Sequence, residues 1–114
     1  MMIVYDVIKI LMKKLIRDKI PEIIKWKWEK CNYYIANGVE YNKELLKKIV
    51  EEAIEVQNSK NKNELIKELA DINEVINSIC ENNWITNEEI ETSRLDKLKI
   101  KWWFEKWYIY IFDK

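Results

Sequence analysis

Two stretches of the chain repeat apolar residues at the helical period. From about Tyr41 to Asn58 they fall at Leu45, Leu46, Ile49, Val50, Ala53 and Ile54. From about Asn63 to Cys80 they fall at Leu65, Ile66, Leu69, Ile72, Val75, Ile76 and Ile79. Spacings of three and four put each set on one face of an α-helix. The polar link Asn58-Ser-Lys-Asn-Lys-Asn63 is short, which makes the two helices antiparallel neighbours.

The remaining pattern is more varied. Pro21 suits the first turn of a helix, where a missing N–H costs nothing, so a helix is predicted from about Ile20 to Lys30. Tyr33-Tyr34-Ile35 favours a short strand, and Asn37-Gly38 is the strongest turn signal in the chain. Thr86-Asn-Glu-Glu89 reads as a capping box that opens a helix running to about Lys101. The aromatic and β-branched end, Phe104 to Phe112, is predicted to be a strand that pairs with the first. The expected fold class is mainly α, an antiparallel helical bundle with a small two-strand β element at about 33–36 and 105–112.

Composition narrows the chemistry. With 114 residues the chain has room for one domain, and its 48% apolar and 35% charged content suits a soluble globule rather than a disordered chain. Twenty basic and twenty acidic residues cancel, so no whole-molecule field draws it to nucleic acid or to anionic membranes. There is no histidine, which rules out a Ser-His or Cys-His nucleophile and argues against zinc. Cys31 and Cys80 are expected to be free thiols. The apolar opening, Met1 to Met12, is broken by Asp6 and Lys9. It has neither the length of a membrane span nor the layout of a signal peptide, so the cytoplasm is the expected location.

The residues that carry a chemical signal are carboxylates. Glu52 and Glu55 share a face of one long helix, and Glu68 and Asp71 share a face of the next. At about 100° per residue, Glu68 points between Val75 and Ile79, inside the apolar stripe, and Asp71 lies just past its edge. Glu52 falls beside Leu45 and Val56 at the margin of the buried face. Unpaired charges there cost several kcal/mol each. They must be protonated, pair with Lys or Arg, or hold a cation, and an all-oxygen set suits a hard ion such as Mg²⁺ or Mn²⁺.

The pattern ExxE, a dozen residues, then ExxD resembles the metal-binding motif of the MazG-like all-α nucleoside triphosphate pyrophosphohydrolases. Here it reads Glu51-Glu-Ala-Ile-Glu55, twelve residues, Glu68-Leu-Ala-Asp71. Lys14-Leu-Ile-Arg-Asp-Lys-Ile-Pro-Glu-Ile-Ile24 is similar to the opening string of one branch, the phosphoribosyl-ATP pyrophosphohydrolase-like proteins. Lys97 and Lys101-Trp-Trp-Phe-Glu-Lys106 resemble that branch's closing Lys and Arg-Gly-Gly-Phe-Glu-Lys. The resemblance implies a bundle of the all-α NTP pyrophosphatase type over residues 13–114, with 1–12 as an N-terminal extension.

It further implies Mg²⁺, or Mn²⁺, held by Glu52, Glu55, Glu68 and Asp71. The implied reaction hydrolyses a nucleoside triphosphate to monophosphate and pyrophosphate, with Glu51 or Glu55 orienting or deprotonating the attacking water. Arg17, Lys19, Arg94, Lys97 and Lys101 match basic positions that would steady phosphates. Tyr33, Trp102 and Trp103 could stack on a base, although core packing is the commoner use of such residues. Family members bury their helical faces by pairing protomers, so a homodimer or dimer of dimers is expected. Trp102-Trp103 departs from the branch's Gly-Gly, and it favours the alternative of a non-catalytic nucleotide-binding or helical interaction subunit.

Overall fold

The computed structural model describes residues 13–113; the expected extension, 1–12, lies outside the described residues. Four helices run in order along the chain: α1 (Ile20–Trp26), α2 (Gly38–Gln57), α3 (Lys62–Asn82) and α4 (Asn87–Lys101). The three longer ones each begin on a side chain that accepts a first-turn N–H. Asn37 accepts from the Glu40 N–H at 2.9 Å, and Asn61 accepts from the Glu64 N–H at 2.9 Å. Thr86 accepts from the Glu89 N–H at 3.1 Å, while its own N–H donates to the Glu89 carboxylate, which completes the capping box. Each such cap is worth about 1 kcal/mol of helix stability.

The helix ends are equally well defined. At the end of α1, Trp28 N–H donates to Lys25 C=O at 2.9 Å and Glu29 N–H to Ile24 C=O at 3.3 Å. At the end of α3, Trp84 N–H donates to Glu81 C=O and Ile85 N–H to Cys80 C=O at 2.9 Å. Both are Schellman motifs, in which the residue just past the cap turns left-handed to satisfy the last carbonyls. That residue is Trp28 (φ 59°) in one and Trp84 (φ 58°) in the other.

Helices α2 and α3 form an antiparallel hairpin, and theirs is the one substantial helix–helix packing among the described residues. Leu45, Val75 and Cys80 are its buried apolar centre. At the end away from the connecting loop, Asn42 of α2 accepts from the side-chain amides of Asn82 (3.1 Å) and Asn83 (2.9 Å). No helix among the described residues is long and apolar enough to cross a membrane, and Cys31 and Cys80 are both free thiols.

The mainly α class and the antiparallel pair therefore hold, with three corrections. No strand forms among the described residues, neither at 33–36 nor at 105–112. β-propensity expresses fit to a half-buried pleated surface, and Tyr33 and Tyr34 instead lie under the ammonium groups of Lys25 and Lys13. Asn37-Gly38 starts a helix rather than turning a hairpin, because Asn serves a helix N-cap as readily as a turn. Finally, α1 stops at Trp26, short of Lys30.

Candidate metal centre

The amphipathic stripe of α2 carries Glu52 inward seven residues after Leu45, and α3 opposes it with Glu68. Glu55, one turn on from Glu52, completes a group in which one carboxylate oxygen from each residue lies within 4.8 Å of the others. Glu52 is only 8% exposed. Oε2 of Glu52 and Oε2 of Glu68 are shut off from solvent and meet no hydrogen-bond donor among the described residues. Three acidic groups thus crowd together on facing helices, and two of their oxygens have nothing to bind.

Burial raises the pKa of Glu52; Lys48 opposes the rise, and the charges of Glu55, Asp71 and Glu51 add to it. Burial also leads the upward shift at Glu68, with hydrogen bonding to Glu55 and the charges of Glu55, Asp71 and Glu52 behind it. Glu52 and Glu68 are thus both pushed towards keeping their protons. The donor set is all oxygen, with two unpartnered acceptors among carboxylates on neighbouring helices, so the residues present fit a hard divalent cation. Glu52, Glu55 and Glu68 are the residues that would hold it.

Other expected site residues are placed differently. Asp71 lies close enough for its charge to act on Glu52 and Glu68, but its carboxylate is turned to Arg17 at 3.6 Å. Arg17 also reaches Glu74 at 3.9 Å. Glu51 sits outside the group of three, between Lys14 at 3.7 Å and Lys48 at 3.3 Å. Lys19 is exposed at the cap of α1. Arg94 is engaged by Glu91 of its own helix, and Lys97 and Lys101 are exposed on α4, which packs on neither half of the hairpin to any extent. Tyr33, Trp102 and Trp103 are exposed rather than in a core.

Comparison with protein-family models, with curated proteins and with solved structures finds no match. One residue beside the group escaped the sequence pattern. Lys48 precedes Glu51 by three positions and Glu52 by four, the spacing at which helical side chains meet, so the signal was available.

Proposed function

We propose that this protein is a Mg²⁺-dependent nucleoside triphosphate pyrophosphohydrolase of the MazG-like, all-α type, working in the cytoplasm. The observation that carries this reading is the pair of enclosed, unpartnered oxygens on Glu52 and Glu68, with Glu55 beside them. A bound divalent ion would supply the positive charge and Lewis acidity that carboxylates lack, and without which they would repel a triphosphate.

The chain's own groups then have distinct tasks. Glu55 is the exposed member of the cluster, open to water, and is suited to take the proton from the water that attacks the α-phosphorus. As the new P–O bond forms, the bond to the β-phosphate oxygen breaks and pyrophosphate leaves. Glu51, held between Lys14 and Lys48, is suited to orient Lys48. Arg17, among the expected cations, is the one at the edge of the cluster, where its guanidinium can meet a phosphate in bidentate fashion.

An open apolar flank supports a second protomer. Leu46, Val50 and Ile54 line one side of α2, and Leu65, Leu69 and Ile76 line one side of α3, all exposed. The radius of gyration is 18.4 Å, against about 13 Å for a compact domain near this size. A homodimer, or a dimer of such dimers, would close this face.

The alternative, a non-catalytic nucleotide-binding or helical interaction subunit, is favoured by Trp102-Trp103. Pyrophosphate release over a panel of canonical and modified (d)NTPs with Mg²⁺ or Mn²⁺ decides between them. Activity is expected, and Glu68→Gln or EDTA should abolish it. Turnover untouched by Glu68→Gln would refute the site, and no turnover on any nucleotide would favour the subunit.

A further inference from the structure

The backbone asks for glycine where the sequence has tryptophan. Four non-glycine residues among those described have positive φ: Trp28 (59°), Trp84 (58°), Trp102 (64°) and Trp107 (58°). A bulky side chain at positive φ is an outlier anywhere, and here every instance is the same residue type. Trp28 and Trp84 occupy the one position of the Schellman motif that is usually glycine. Trp102, with ψ −155°, lies in a region of backbone space that is essentially reserved for glycine.

The side chains bring little buried area to offset this strain. All six tryptophans are exposed, from 62% at Trp103 to 97% at Trp28, although tryptophan ordinarily brings the largest apolar area to a core. The sole glycine, Gly38, stands at the start of a helix and does not have positive φ. Six tryptophans and one glycine together make up roughly the share, about 7%, that glycine alone holds in ordinary domains.

Four of the six tryptophans stand on glycine-type backbone and no other residue type among those described does, a pattern that follows the codon rather than the site. We propose that Trp26, Trp28, Trp84, Trp102, Trp103 and Trp107 mark UGA codons that the protein's own cell decodes as glycine, UGA being read as tryptophan in some genetic codes and as glycine in another. Such recoding is independent of the proposed activity. It has a consequence for it all the same, because the Trp102-Trp103 departure at the end of α4 disappears.

The gene and the native protein test it. UGA is expected at all six positions, and a UGG codon at any of the four positive-φ positions overturns the proposal. Peptide mass spectrometry of protein purified from its native source should find glycine masses at the six sites; tryptophan masses there overturn it. A six-site Trp→Gly protein is also expected to melt at a higher temperature than a six-site Trp→Ala protein. Alanine removes the same exposed rings but retains the left-handed penalty, so equal melting or a higher value for the alanine protein counts against glycine at these positions.

Discussion

The ammonium of Lys48 lies 3.7 Å from Oε1 of Glu52, while Oε2 of the same carboxylate meets no donor among the described residues. One half of the group is answered from its own helix, and the other half is enclosed and unanswered. Lys48 also serves Glu51 at 3.3 Å, so its single charge is divided between two acids. Lys48→Met should therefore cost about 1–2 kcal/mol of stability near neutral pH, the penalty of a buried carboxylate losing the cation that pairs with it among the described residues, reduced for partial solvent access. Urea unfolding measures it. The double change Lys48→Met with Glu52→Gln should recover most of the loss, and full stability in Lys48→Met alone would show that the pair carries no weight.

The pH dependence comes from two upward shifts. The native pKa values of Glu52 and Glu68 are raised above the unfolded value of 4.5, so the folded protein binds more protons than the unfolded chain above that pH. This contribution to stability is complete below about pH 4.5 and is lost as pH rises through the raised native values. Glu91, lowered by its hydrogen bond to Arg94, runs the other way, but as an exposed pair it contributes little. In EDTA, the melting temperature should fall with rising pH more steeply for the unaltered protein than for Glu52→Gln/Glu68→Gln. Millimolar Mg²⁺ should remove most of that difference, since a ligand of the folded state stabilises it in proportion to RT ln(1 + [L]/Kd). Parallel profiles with and without the substitutions would show that these two carboxyls do not set the slope.

The open flank of the hairpin makes a separate prediction. Val50→Glu places a charge in the middle of the exposed stripe between Leu46 and Ile54. Light scattering should show the unaltered protein as a dimer or tetramer and Val50→Glu as a monomer, with catalytic turnover reduced at least tenfold if the partner completes the site, equivalent to about 1.4 kcal/mol. An unaltered protein that is monomeric at every concentration would leave the stripe without that role.

The hairpin and the inward carboxylates were legible because both arise from one helical period. The stripe that set Leu45 and Val75 inward also set Glu52 and Glu68 there, and no tertiary information was needed. The capping box at Thr86 was readable for the same reason, since it lies within four residues. Asn37 misled because one residue type serves two local geometries, and the helical run after Gly38, not Asn37 itself, decides between them. The strands failed for a different reason: Tyr33 to Ala36 and Phe104 to Phe112 have the composition of strands but no paired neighbour among the described residues, and pairing is not a property of either segment alone. Arg17 facing Asp71 joins residues far apart in the chain, so its pairing required the fold.

Asn42 gives the hairpin a second point of attachment. The loop ties α2 to α3 at one end, and the two amides on Asn42 tie them at the other. Two rods joined at both ends cannot scissor; they can only bow or roll about their long axes. Between those anchors, the simplest way for Glu52 and Glu68 to draw apart is opposed, which leaves bowing or rolling of the helices and rotation within the acidic side chains as the ways their spacing can change.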